Sequence, residues 1–382
     1  MPDMISVGLD KLRPRLEEAF EFGASQVRKT MRVWTSDRPA PVHTVKGKWY
    51  RPSDLWTDWT PGFYAGMMWI IYGRTGDVWW RRKAQEYSGK LERRKFDRDV
   101  HDLGFVFMST YKRWHDLLPD GREKRRVRDV LITAGNTQSM RYQEAGKDHY
   151  IYSFNGRQSL FIDVMMNIRL LLWAYRETGN ENLKVRATRH ALTTRRYLVH
   201  PDGHTTHEGI FNPETGEFRN LSTQQGWSPF TCWSRGLAWA IYGFTDTFNY
   251  TGDVRFLETA QKCADFYIKN TPPGGVPYWD YGAPGIPDEP LDSSAAAVAA
   301  SGLWELAKSA KRKKRLYQET ALKIMGALTS ERFLAKGYRG QEGILMHGVY
   351  HKPRNWGVDE SVMWGDYFFM EALGKLIGER EE

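Results

Sequence analysis

The chain has 382 residues, 41% hydrophobic and 26% charged, which excludes a disordered chain and leaves enough length to bury a large core. Its net charge is 55 − 46 = +9, and its only two cysteines, Cys232 and Cys263, exclude a disulfide scaffold and a cysteine zinc site. Aromatic residues reach 14%, with 16 Trp, 19 Tyr and 18 Phe, and sugar rings and nucleobases stack on such planes.

Hydrophobic period and capping residues predict twelve helices. They fall near 4–22, 61–74, 77–91, 104–118, 122–143, 163–178, 181–199, 233–250, 253–270, 292–309, 312–331 and 360–378. Segments 61–74, 163–175, 233–244 and 292–304 are apolar nearly all round, as buried helices are. Their partners, such as 77–91, 181–199 and 312–331, are amphipathic and rich in Lys and Arg. Three helices share one ending: Tyr72-Gly-Arg-Thr-Gly-Asp77, Tyr175-Arg-Glu-Thr-Gly-Asn180 and Tyr250-Thr-Gly-Asp253. Gly suits the left-handed residue that closes a helix, and the Asp or Asn after it can cap the next. Each ending therefore reads as an αα-hairpin. Strand text is confined to loops, as in Tyr197–Phe218, where Asn212-Pro-Glu-Thr-Gly216 suggests a hairpin. Six buried helices inside six amphipathic ones make an all-α (α/α)6 toroid, a six-hairpin barrel, with a small β-hairpin in its loops. No linker interrupts residues 1–382, so a single domain is expected.

Met1–Asp10 lacks the basic and apolar regions of a signal peptide, and no run approaches the ~18–20 apolar residues of a membrane span. A cytoplasmic protein is expected, or a periplasmic one if a leader has been removed. The basic runs 122–126 and 311–315 read as solvated helix faces, and no nucleic-acid motif is present. GxSxG, P-loop and GxGxxG patterns are absent, so no cofactor is expected. His101, His207 and His347 lack metal-ligand spacing, so no metal is expected either. A monomer is the default.

Carboxylates gather where inner helices begin. Asp163 stands inside Leu160-Phe-Ile-Asp163-Val-Met-Met-Asn167, where apolar surroundings predict a raised pKa and a carboxyl able to hold and return a proton near neutrality. The competing reading is a helix N-cap. Asp102, after His101, divides evenly between the same two roles. Asp58 reads as a cap because Pro61 follows, Asp292 as a cap on an Ala-rich helix, and Asp366 is ambiguous. A helical toroid, an aromatic cleft, paired carboxylates and a positive charge describe an enzyme acting on an acidic sugar. Two carboxylates usually mean attack at the anomeric carbon.

The ordered motifs add a resemblance. They are Trp56-Thr-Asp-Trp59-Thr-Pro-Gly-Phe63, His101-Asp102-Leu-Gly-Phe105, Ile162-Asp163-Val-Met-Met-Asn167, Trp233-Ser-Arg235-Gly-Leu-Ala-Trp239, Tyr278-Trp279-Asp280, Asp292-Ser-Ser-Ala295, and Gly357-Val-Asp-Glu360 through Trp364-Gly-Asp-Tyr367. In order and spacing, over about 54–375, the chain resembles the unsaturated glucuronyl hydrolases of glycoside hydrolase family 88. The related rhamnogalacturonyl hydrolases share the fold. The resemblance implies a different reaction, on the C4=C5 double bond of the terminal unsaturated uronic acid in lyase-generated oligosaccharides. Protonation at C4 and addition of water at C5 give a hemiketal that opens and releases the remaining sugar. By match to the family, Asp163 is the general acid and base, and Asp102 is the second acid. Trp59 and Trp239 look like pocket walls, and His101, Phe154, His207, Gln225 and Arg235 match substrate-binding positions. Arg235 would meet the uronate carboxylate. Many members carry His where this chain has Gln224, and Phe154 stands where a pocket Trp is common. The loop His351-Lys-Pro-Arg354-Asn-Trp356 lacks the Ser and Lys of members acting on sulfated glycosaminoglycans, but Arg354 and Trp356 offer a charge and a plane for substrate. The expected partner is an acidic unsaturated oligosaccharide from a glycosaminoglycan or another acidic polysaccharide such as ulvan. An unsaturated rhamnogalacturonyl hydrolase, an ordinary inverting glycosidase and a non-catalytic sugar-binding protein are the alternatives.

Overall fold

Three tight turns set the repeat. Gly76, Gly179 and Gly252 hold φ of 67°, 71° and 73° in the left-handed region, where other residues are strained. Asp77, Asn180 and Asp253 directly follow, and their side chains accept the backbone N–H of Trp79, Asn182 and Arg255. Each turn thus ends one helix and starts its antiparallel neighbour, as the repeated text predicts.

The structure, a computed structural model, describes residues 4–55 and 57–378; Trp56, the first residue of one motif, and residues 1–3 and 379–382 lie outside the described residues. The helices, in chain order, are α1 (Met4–Thr30), α2 (Pro61–Thr75), α3 (Val78–Lys90), α4 (Leu103–Ser109), α5 (Tyr111–Asp116), α6 (Arg122–Ser139), α7 (Val164–Asn167), α8 (Arg169–Thr178), α9 (Glu181–Tyr197), α10 (Ser234–Thr251), α11 (Val254–Asn270), α12 (Ser293–Ser309), α13 (Lys314–Leu328) and α14 (Met363–Ile377). An inner ring runs α2, α4, α7–α8, α10, α12 and α14, and α14 packs back on α2 to close it. The outer helices α3, α6, α9, α11 and α13 cover it, and α1 packs against both α13 and α14. This is the six-hairpin toroid, and its last hairpin joins the end of the chain to its beginning.

Two expected helices are broken. The segment 104–118 parts at Thr110, where Ser109 Oγ and Thr110 Oγ1 bond back to the carbonyls of Phe105 and Val106 and compete with the helix ladder. The segment 163–178 parts at Ile168. The first helix runs eight residues past its expected end, because Gly23 is a packing residue and not a terminator. A Cβ there would press on the Met370 thioether of α14.

Small antiparallel strands decorate one end: β1 (His43–Val45) with β2 (Lys48–Tyr50), β3 (Tyr142–Gln143) with β4 (Tyr150–Ile151), β5 (Ser159–Phe161) with β6 (Glu208–Phe211) and β7 (Phe218–Ser222), and β8 (Gly348–His351) with β9 (Trp356–Glu360). The expected hairpin is β6–β7, and residues 212–217 join its strands. Every inner helix begins at this end, so the residues that precede them converge there, as do the positive poles of the helix dipoles.

The tightest helix crossing of this end is that of α4 on α7. A Cβ on Gly104 of α4 would sit well under 3 Å from the Asn167 backbone at the end of α7. The two backbones touch, and Asn167 clips them together: its Oδ1 accepts the Phe105 N–H at 2.8 Å, and its Nδ2 donates to the Asp163 carbonyl at 3.2 Å. Replacing Gly104→Ala is expected to cost about 1–3 kcal/mol of unfolding free energy through overpacking. Urea titration reads this as a lower midpoint, and an unchanged midpoint would show that the helices can part without strain.

Candidate active site

The crossing of α4 on α7 brings Asp102 and Asp163 to the floor of one pocket, just ahead of each helix. Both occupy an N-cap position and neither side chain caps. Asp102 is therefore no cap here, and its even division resolves toward the pocket. Asp58 is no cap either: Thr60 holds that position, and Asp58 pairs with Arg51 at 3.1 Å and Arg94 at 3.7 Å. Asp292 does cap, accepting the Ser294 N–H at 3.0 Å, and Asp366 is structural, accepting the N–H groups of Ile344 and Leu345.

His101 joins the two acids. Its Nδ1 accepts the Phe154 N–H at 3.0 Å, so its ring proton sits on Nε2. That Nε2 lies 3.2 Å from Asp102 Oδ1 and 3.7 Å from Asp163 Oδ1. Burial resists a charged ring, but Asp102 and Asp163 outweigh it and raise the His101 pKa. A second proton would still have to displace Phe154 from Nδ1. The three ligand atoms lie within 4.8 Å of one another, a spacing that a cation could bridge. A metal-bound imidazole normally donates its other N–H, however, and here that nitrogen is already an acceptor. The donor set fits a bridging proton better than an ion.

The acids differ. Burial pushes Asp102 up to about 6, with His101 opposing and Asp163 reinforcing the shift. Burial also acts to raise Asp163, but the His101 N–H and the nearby His207 outweigh it and hold the group below the usual carboxylate range. The raised pKa expected for Asp163 is thus corrected: apolar neighbours do surround it, but His101 Nε2 lies 3.7 Å from its Oδ1 and favours the charged form. Of the two acids, Asp102 therefore has the higher affinity for a proton. Asp163 is the more open of the two, 8% exposed against 3%.

Trp59, Phe154, Gln225, Arg235 and Trp239 line the pocket together with His101 and the two acids. Phe154 stacks on His101 at 5.7 Å, and Trp59 and Trp239 both pack on Phe105. Arg235 is fully buried between Trp233 and Trp364. Its terminal nitrogens bond Asp292, Gln225 and the Val349 and Tyr350 carbonyls, so it fixes Gln225 and strand β8 as well as placing charge in the pocket. His207 lies outside the lining. Burial lowers its pKa to about 4, its Nδ1 accepts the N–H groups of Gln224 and Gln225, and its protonated Nε2 is buried without a protein partner. Arg354 and Trp356 stand apart on the β8–β9 hairpin, with the guanidinium 5.0 Å over the indole.

Four lining residues escaped the sequence reading: Thr57, Phe161, Trp233 and Tyr350. Thr57 and Trp233 lie inside the family-like motifs, whereas Phe161 and Tyr350 sit in strands whose text is only apolar. Buried Glu208 was also missed. It accepts from Ser159, Asn155 and the Gln224 amide, which gives Gln224 its own role.

Comparisons with known proteins bear on the family and the fold. The family model described as Glycosyl Hydrolase Family 88 matches residues 35–333. An unsaturated glucuronyl hydrolase of Formosa agariphila is 33% identical over 93% of this chain and 85% of its own. Another, from a Bacillus species, is 34% identical over 84% of this chain and 86% of its own. The crystal structure of an unsaturated glucuronyl hydrolase specific for heparin superposes with a TM-score of 0.86 at 27% identity, covering 95% of this chain and 97% of that one.

The uneven acids carry a stability signature. A carboxyl held at about 6 in the fold, against ~3.9 unfolded, binds its proton first in the native state. Its contribution is fully favourable below the unfolded value and is lost as pH rises through 6. Asp102→Asn cannot ionise, so it is expected to exceed the wild type at pH 8 by about 2–3 kcal/mol, with the gap closing toward pH 4. Denaturant titration at both pH values checks this; equal stability at pH 8 would show that the Asp102 charge costs the fold nothing.

Proposed function

The chain belongs to Glycosyl Hydrolase Family 88 and hydrolyses glycosides of unsaturated uronic acids; on that premise we propose that Asp163 moves the proton while Asp102 and His101 control where it rests. The observation that carries this reading is the single N–H of His101 between two buried carboxylates of unequal affinity.

The double bond C4=C5 is conjugated with the ring oxygen as a vinyl ether. In this reading a proton from Asp163 adds to C4, and the ring oxygen shares the positive charge that develops at C5. Water then adds at C5 and returns a proton to the Asp163 carboxylate. The hemiketal opens, C5 becomes a ketone, and C1 releases the remaining sugar as an alcohol. Atoms and charge balance without any further reactant. The bound uronate brings a negative charge and excludes water, and both effects raise the affinity of Asp163 for a proton. Arg235 and the inner-helix N-termini offset the substrate's charge. Trp59, Trp239 and Phe154 supply planes for the ring, and Arg354 with Trp356 faces the leaving sugar.

Ordinary inverting hydrolysis fits less well. It needs carboxyls about 6.5–9.5 Å apart to admit a water, and here carboxylate oxygens of the pair lie within 4.8 Å. The substrate in this reading is an acidic Δ-uronyl oligosaccharide from a glycosaminoglycan or an ulvan-like polymer. A monomer is the unit assumed in this reading, and the ring closed by α1 and α14 supports one catalytic domain.

The test follows ultraviolet absorbance of the conjugated bond with lyase-generated disaccharides of chondroitin, hyaluronan, heparin and ulvan. Wild type should erase the absorbance of at least one. Asp163→Asn should fold, bind and lose about 10²–10⁴-fold in kcat. Normal turnover by that variant would end the assignment. Asp102→Asn should retain more activity and lose the pH dependence near 6 from its kcat/KM profile. A profile identical to wild type would place the proton elsewhere.

A further inference from the structure

A second cleft opens at the same end of the toroid, outside the catalytic pocket. It lies between the C-terminal end of α1, the β1–β2 hairpin and the segment 335–342. β1 meets the segment after β9 through the Thr44 N–H, which donates to the Ser361 carbonyl at 2.8 Å.

Its lining is unbalanced in charge. Lys29, Arg32, Lys48 and Arg339 face a single acid, Glu342, which pairs with Lys48 at 3.0 Å. Arg32 and Arg339 are exposed and make no ion pair or side-chain hydrogen bond among the described residues. Aromatic planes stand beside them: Phe22, Trp34 and Tyr338 line the same space. Gly337 and Gly340 both hold φ of 88°, and this pair of left-handed bends carries Tyr338-Arg339 at the tip between them. Tyr338 is 49% exposed. The base of that loop is tied down. Gln26 Nε2 donates to the Gln341 and Gly343 carbonyls at 3.0 and 3.1 Å, and Glu342 accepts the Trp49 N–H at 2.9 Å. A fixed frame thus holds an aromatic plane and two uncommitted guanidinium groups toward solvent. Exposed aromatic surface and unpaired cations in one cleft both call for an occupant that is ring-shaped and anionic.

We propose that this cleft is an auxiliary binding site for an acidic oligosaccharide, in which Tyr338 stacks on a pyranose ring and Arg32 and Arg339 pair with carboxylate or sulfate groups. The ligand class rests on the proposed function, that the chain handles acidic sugars. The site would keep the enzyme close to the polymer from which its substrates are cut.

The experiment is calorimetric titration with a saturated chondroitin sulfate hexasaccharide, which has no C4=C5 bond to react. Wild type is expected to bind it with an affinity that falls as salt rises. The double variant Arg32→Ser/Arg339→Ser should bind at least tenfold more weakly with an unchanged melting temperature and unchanged turnover of Δ-disaccharides. Saturating Δ-disaccharide on Asp163→Asn should leave the hexasaccharide bound. No binding by wild type, equal binding by the double variant, or full displacement by the disaccharide each overturns the proposal. Hexasaccharide binding that needs Arg32 and Arg339, in a protein that turns over no Δ-disaccharide, would uphold the cleft and defeat the catalytic reading instead.

Discussion

No side chain fits at position 104. The backbone of α4 lies directly on the end of α7, and the amide of Asn167 binds one helix to the other. Asp102 sits two residues before the contact and Asp163 four residues before it, so the spacing of the acids is inherited from backbone packing. A backbone contact of this kind is stiffer than any arrangement of long side chains, because close-packed interiors transmit small displacements. The remainder of the pocket depends on it: His101 precedes Asp102, Phe154 stacks on His101, and β5 leads into Asp163.

The site asks two buried acids to share limited solvation. Two bare carboxylates this close would repel strongly in a low-dielectric floor. One N–H, held in its tautomer by a backbone donor on the far side of the ring, separates their affinities. The outcome differs from a symmetric acid pair, in which either group can take the proton. Here the deeper acid has the higher proton affinity and the more open acid the lower. Backbone donors recur as the device that sets side-chain chemistry: Phe154 fixes His101, and Gln224 and Gln225 fix His207.

Much of the architecture was legible because it is written in local chemistry. The Thr-Gly-Asp and Thr-Gly-Asn turns encode a left-handed residue and a cap within three letters, and the inner and outer helices differ in polarity along their whole length. The acids were legible for a similar reason, as charges set in apolar text. Contacts between distant segments were not legible. Nothing in Ile162-Asp163-Val164 announces that an imidazole from residue 101 will face the carboxylate, so the sign of its pKa shift was read backwards. Asp58 resembled a cap until Arg51 and Arg94 claimed it. The first helix was expected to end near residue 22, yet Gly23 continues it and seats Met370 of α14. Phe161 and Tyr350 are apolar residues in short strands, and only the ring's curvature turns them toward a cavity. The residues from 351 to 356 were read with the pocket because family text lies there, yet Arg354 and Trp356 stand on the hairpin beyond the lining.

The ring is closed by its two ends. Strand β1 meets the segment that leads into α14, and Thr44 and Ser361, which bond across that seam, are 317 positions apart in the chain. A ribosome adding ~5–20 residues per second needs roughly 15–60 s to pass from one to the other. Throughout that interval α1 and α2 have no α14 to cover them, although their apolar faces are already made. Folding of this protein is therefore largely post-translational in its decisive step, and the early helices are natural clients for a chaperone until the last one arrives.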